Sequence, residues 1–137
     1  MAVYNKFDQF TLDVLNGKHN FLSDVFKVML TNTAPVTTDT VKASLVEIAA
    51  GGGYAAGGII IPVTVTNVSG LSRAFGANQV LTSSGVIGPF RYAAFYNSTA
   101  ATQPLISWWD YGTAVTLQNT ETFTINFDAV NGILDIQ

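Results

Sequence analysis

The sequence predicts a mainly β protein, an antiparallel β-sandwich or jelly roll of about eight short strands with one N-terminal α-helix. Three observations carry that expectation. Short apolar or alternating runs recur at intervals of roughly ten residues after position 25. A single stretch with helical spacing precedes them. Two aromatic-rich runs, spanning 87–97 and 104–112, flank six small or polar residues in the manner of a β-hairpin.

The helical stretch covers 4–16, where Phe7, Phe10 or Thr11, Val14 and Leu15 fall three and four apart. Asn5 is placed to cap its start, with Asp8 three residues on, and Gly17 is placed to close its end. The first strand is 26–31, in which Phe26, Val28 and Leu30 alternate with Lys27, Met29 and Thr31. Residues 32–38 read as loop, and Asp39 opens a short helix with Val41, Leu45 and Ile48 on one face.

The glycine-rich segment 49–58 has the composition of a phosphate-binding loop but not its context. It follows a helical stretch, leads into a strand and lacks the Gly-Lys-Ser or Gly-Lys-Thr step into a helix, so it reads as a connector anchored by Tyr54. In the run 59–67, Pro62 has no N–H to donate, which predicts an edge strand or a bulge. Two short strands, 70–76 and 78–83, precede the central hairpin.

That hairpin holds both Trp, three of the five Tyr and two of the nine Phe, so it is expected at the centre of a sheet. Closing its loop with Asn97 and Pro104 makes paired positions sum to 201, which sets Arg91 opposite Asp110 and Tyr92 opposite Trp109. Trp108 and Trp109 then point to opposite faces, one into the core and the other to an outer face or an interface. A second hairpin is expected from 114–118 and 121–128 around Asn119-Thr120, and the Asn131-Gly132 turn leads to a final strand at 133–136.

At 137 residues the chain suits one domain, read as an N-terminal arm and helix over 1–24 and a β-sandwich over 25–137. The absence of cysteine excludes thiolate catalysis, disulfides and Cys-based zinc sites, and the lone His19 excludes a multi-histidine metal site. His19 reads as a solvated loop residue or a partner of the helix C-terminus. With a net charge of −3 and six cations scattered at 6, 18, 27, 42, 73 and 91, nucleic-acid binding is not expected. No membrane span, export segment or cofactor is expected either. An enzyme would need a close carboxylate pair such as Asp110 and Glu121, for which the sequence offers no base or cleft, so no catalytic residue is assigned. Tyr92, Trp108, Trp109 and Tyr111 would be the material for a sugar-binding platform. Charged residues make up only 11% against sixteen Thr and ten Asn, a composition suited to a surface covered in part by other chains.

The segments 27–35, 47–58, 87–92, 108–112 and 127–133 together resemble a family of small virion structural proteins of tailed bacteriophages. The resemblance implies a non-enzymatic component of the particle, a capsid decoration or cement protein assembled in the host cytoplasm. Its partners would be the major capsid protein and itself, as a homotrimer at threefold positions on the capsid surface. The alternatives are a tail or head–tail connector protein and a carbohydrate-binding module. Contact candidates are Phe7 and Phe10 in the N-terminal segment, Tyr54 in the glycine-rich loop, and Trp108 and Trp109. Arg91 and Asp110 are read as a structural pair.

Overall fold

The structure is a computed structural model that describes residues 2–137. It is mainly β and antiparallel, with ten strands and one α-helix among the described residues. In chain order these are β1 (Val3–Lys6), α1 (Gln9–Leu15), β2 (Phe26–Thr31), β3 (Ile59–Ile61), β4 (Val63–Val68), β5 (Leu71–Gly76), β6 (Gln79–Thr82), β7 (Ile87–Asn97), β8 (Leu105–Leu117), β9 (Thr122–Ile125) and β10 (Leu134–Ile136). A five-stranded sheet runs β1-β8-β7-β2-β3, a three-stranded sheet β10-β5-β4, and β6 pairs with β9.

The larger core lies on one face of the five-stranded sheet. Phe26, Val28 and Leu30 of β2, Phe90 and Phe95 of β7 and Ile106 of β8 meet Phe10, Leu81, Ile125, Phe127 and Ile133 from the other elements. Each fully buried Phe there stabilises the fold by roughly 1.5–3 kcal/mol relative to leaving it in water. On the opposite face Met29, Ala94, Tyr96, Leu105 and Trp108 pack with Phe7 and Leu45. The alternation in β2 therefore separates two buried faces, and only Lys27 in that strand escapes full burial.

The expected helix over 4–16 is a strand followed by a shorter helix. Residues Val3–Lys6 pair with β8 in the register Tyr4↔Trp109, so the N-terminal segment begins inside the main sheet. A free sheet edge outcompetes the costly first turn of a helix, and Asn5 does not act as a cap. The other end was read correctly. Gly17 adopts φ +70°, its N–H bonds to the Val14 carbonyl and the Lys18 N–H bonds to the Asp13 carbonyl, a Schellman closure. The short helix expected after Asp39 is reduced to a single 3-10 turn, Lys42–Ser44.

Pro62 separates β3, an edge of the large sheet, from β4, an edge of the three-stranded one, so the chain changes sheets where the N–H is missing. Residues 114–117 of the expected 114–118 run are the end of β8 itself, and β9 pairs with β6, not with β8. Its turn is tied to the residue just after β6 instead: Ser83 N–H donates to the Glu121 carbonyl at 2.9 Å and Thr120 N–H to the Ser83 carbonyl at 3.0 Å.

The central hairpin lies inside the five-stranded sheet, as expected. Asn97 N–H bonds to the Pro104 carbonyl at 3.1 Å, the loop closure that gives the 201 register, and Tyr96↔Leu105 keeps it. The extra residue Ile106 then makes a bulge, after which Phe95↔Ser107, Ala94↔Trp108 and Tyr92↔Asp110 follow a register shifted by one. This corrects the expected Tyr92–Trp109 pairing: Trp109 stands opposite Ala93.

Candidate functional site

Four of the five contact candidates are core residues. Phe7 is 0% exposed, Phe10 5%, Tyr54 2% and Trp108 6%, so none stands out from the surface as an anchor, and Phe10 is reached only through the groove that it lines. Large aromatic side chains are the most effective core fillers, and the same property that marks an interface anchor marks a core residue in a sequence. Trp109 alone is partly exposed. The two Trp do face opposite sides of β8, but Tyr92 and Trp108 share one face, Trp109 lies on the other and Tyr111 packs edge-on against Phe123 at 5.6 Å, so no common aromatic platform forms.

Arg91 and Asp110 pair despite the shifted register. Nε of Arg91 donates to Oδ1 at 2.8 Å and its second terminal nitrogen to Oδ2 at 3.0 Å, a bidentate geometry. A second irregularity between Phe90 and Tyr92 lets Arg91 reach across although Tyr92 is the residue opposite Asp110. The guanidinium hydrogen bond, aided by Gly112 N–H, holds the Asp110 carboxyl below the usual range. Glu121 accepts from Gln118 N–H at 2.7 Å in its own turn.

The glycine-rich loop is tightly folded around Tyr54. The Tyr54 hydroxyl donates to Oε1 of Glu47 at 2.8 Å and accepts from Leu30 N–H at 3.0 Å. Glu47 also accepts from Lys42 Nζ at 2.8 Å and from Gly57 N–H at 2.7 Å. Burial pushes the Glu47 carboxyl up, but these donors more than offset it and hold it below its ordinary value. The Tyr96 hydroxyl donates to the Gly57 carbonyl at 2.6 Å, and burial pushes its pKa up to about 12.

His19 is not the solvated residue expected. Its ring sits among Phe10, Phe21 and Phe26, with centroids 5.3, 5.9 and 6.5 Å away. Nδ1 lies 3.4 Å from the Asn97 amide, while Nε2 is buried without a partner. Burial lowers its pKa, against the pull of Asp13 and Asp24.

A groove of about 710 Å³ is lined by the buried or half-buried Phe10, Trp109, Phe127 and Ile133. Tyr4 and Lys6 of β1 and Leu134, Asp135 and Ile136 of β10 also line it. Each of these strands is the end strand of its sheet. Tyr4 lies edge-on to Trp109 at 5.6 Å, and Trp109 to Phe127 at 5.6 Å. Asp128, on the rim, is fully engaged by Val130 N–H, Asn131 N–H and the Asn131 amide, all within 2.8 Å. Lys6 and Asp135 form no ion pair among the described residues. Of the groove residues the sequence had marked only Phe10 and Trp109 as contact candidates; Thr11, Val14 and Leu15 entered only as a helix stripe and 131–136 only as a turn and final strand.

The site is thus an apolar groove whose lining includes Lys6 and Asp135, neither of them in an ion pair among the described residues although Asp135 stands across the β10–β5 ladder from Arg73, and it is suited to gripping an extended chain segment. No group of three His, Cys, Asp or Glu is placed to hold a metal among the described residues, and no helix there is long and apolar enough to cross a membrane. No family model matches the chain, and neither the curated proteins nor the solved structures yield a match.

Proposed function

We propose that the chain is a structural protein of a tailed-bacteriophage virion, a capsid decoration (cement) protein that binds the outer shell and bridges neighbouring major capsid subunits. The observation that carries the reading is the resemblance of five segments to such proteins. Those segments contain the Arg91–Asp110 pair, the Tyr54 anchor and Trp108 and Trp109. The fold supports it by its economy: a compact β-rich body holds itself together with three ion pairs among the described residues, and several large apolar side chains remain outside. Leu22 is 91% exposed, Leu15 84%, Val130 72% and Val68 70%. Scattered apolar exposure is ordinary, but with charge at 11% it leaves much of the surface able to be covered.

Copies are expected as homotrimers at threefold positions of the shell, acting through contact area alone. Mixing the protein with expanded shells that lack it, pelleting them and counting bound copies tests the proposal. Saturation at three copies per local threefold is expected. Absence of binding overturns it and favours the second reading, a tail or head–tail connector protein. A host-attachment role through a glycan would rest on Trp109, the one Trp that is partly exposed, and predicts a glycan signal lost in Trp109→Ala.

A further inference from the structure

We propose that the outer edge of β1, with the groove behind it, is a contact between two copies of this chain related by a twofold axis. The inference rests on the free sheet edge and the groove charges and is independent of the capsid reading. β1 pairs with β8 on one side only. The Phe7 N–H bond to the Ile106 carbonyl, at 3.1 Å, fixes the alternation along the strand. It follows that the backbone groups of Val3 and Asn5 point toward β8, and those of Tyr4 and Lys6 point away from it. Edge strands that stay unpaired are blunted by proline, a bulge, covering chain, short length or a lysine. β1 has neither proline nor bulge; its protection is its four-residue length and Lys6, whose charge a partner would have to meet, and Val3 and Tyr4 on it are 61% and 43% exposed.

A second copy fits this edge because the strand is self-complementary. In an antiparallel pair about a twofold axis, the outward-facing residues must meet each other, which allows only registers centred on Tyr4, Asn5 or Lys6. Centring on Lys6 opposes two ammonium groups. Centring on Asn5 sets each Lys6 beside the Tyr4 of the other copy, on the groove side of the joined sheet. There it lies over an aromatic face and near Asp135, which lines the same groove and, although opposite Arg73 in the β10–β5 ladder, forms no ion pair among the described residues. Asp135 is close enough for its charge to add to the burial that raises the Tyr4 hydroxyl pKa. Leu15 at 84% and Ile136 at 54% exposure line the groove, where the second copy would cover them. Four strand residues and a groove rim make a small contact, below about 1,200 Å² in total, which belongs to the weak and reversible class. On a shell, where copies are held at high local concentration, such a contact would link one threefold unit to the next.

Sedimentation equilibrium from about 1 μM to 1 mM is the test, the span over which a weak contact populates. The expected result is a doubling of mass with concentration where the associating unit is one chain, and growth to twice the ring mass or beyond where it is a threefold ring with three such edges. Lys6→Glu and Asp135→Lys should each weaken the doubling at least tenfold, and the Lys6→Glu/Asp135→Lys double variant should restore it. Both positions are at the surface, and an unchanged circular dichroism spectrum verifies that the variants fold. A mass that never doubles over this range overturns the inference, as does a doubling that Lys6→Glu leaves unchanged. Shell binding by a protein that does not double would overturn this contact and leave the proposed function standing.

Discussion

Replacing Tyr54 by Phe removes one oxygen atom from a 2% exposed position and probes how the glycine-rich loop is held. β3 covers β2 only from Phe26 to Val28, so beyond that point the Leu30 N–H has no strand partner on that side. The Tyr54 hydroxyl takes its place at 3.0 Å. In the Phe variant that N–H, within a residue that is 0% exposed, loses its acceptor. An unsatisfied buried donor costs about 1–3 kcal/mol, and the lost bond to the carboxylate adds about 1 kcal/mol because Glu47 keeps its bonds to Lys42 and Gly57. The expected destabilisation is about 3 kcal/mol, or roughly 10 °C in Tm for a chain of this length. Urea unfolding followed by Trp fluorescence measures it. In a Glu47→Ala background the cost of Tyr54→Phe should fall by about 1 kcal/mol, since the shared bond is already gone. A Tyr54→Phe variant within about 0.5 kcal/mol of the parent would refute the claim that this hydroxyl completes the β2 edge.

Three further outcomes follow from particular residues. Gly58 adopts φ +90° with its missing Cβ directed into the Val28 carbonyl, whereas Gly112 at φ +93° has open space around it. Gly58→Ala should therefore cost more than about 3 kcal/mol and Gly112→Ala about 1 kcal/mol, by thermal unfolding. Asn97, 0% exposed, donates to the Asp24 carboxylate at 2.7 Å and to the Lys18 carbonyl at 3.2 Å, and accepts from Thr99 and Ala100 N–H. Asn97→Ala strands these groups, with an expected loss of about 2–4 kcal/mol and faster proteolysis within 18–25. His19 is held neutral because burial lowers its pKa from the ordinary 6.5. The unfolded chain takes up a proton near pH 6.5 and the fold resists it, so stability is full above that value and falls as pH drops through it. The urea midpoint should decline from pH 7.5 to 5.5, and His19→Phe should flatten the slope; a midpoint that rises on acidification would contradict the assignment.

The strongly periodic and punctuated parts of the chain were legible. β2 has the bounds that its alternation implied, Pro62 marks the change of sheet, Tyr54 anchors the glycine loop and Gly17 closes the helix. Each of these is set by local chemistry. The misread parts depend on distant chain. Residues 4–6 carry a pattern that suits a helix turn as well as a strand, and only the open side of β8 decides between them. The Ile106 bulge leaves no mark in composition, yet it shifts the hairpin register by one. β9 finds β6, about forty residues earlier in sequence, through a pairing that no local turn signal specifies. His19 is half-buried against Phe21 and Phe26, whose stacking at 4.7 Å is a tertiary fact. The groove was hidden for the same reason, because its lining brings together opposite ends of the chain.

The central claim is that the protein reinforces a shell by contact, and the most direct measurement is the calorimetric melting of expanded shells with and without saturating protein. A cement protein binds the assembled lattice and not the dissociated subunits, so the shell transition should rise, by several degrees at about a hundredfold excess over Kd, and return to its starting value when the protein is stripped. A transition unmoved by bound protein would contradict cementing and leave attachment without reinforcement.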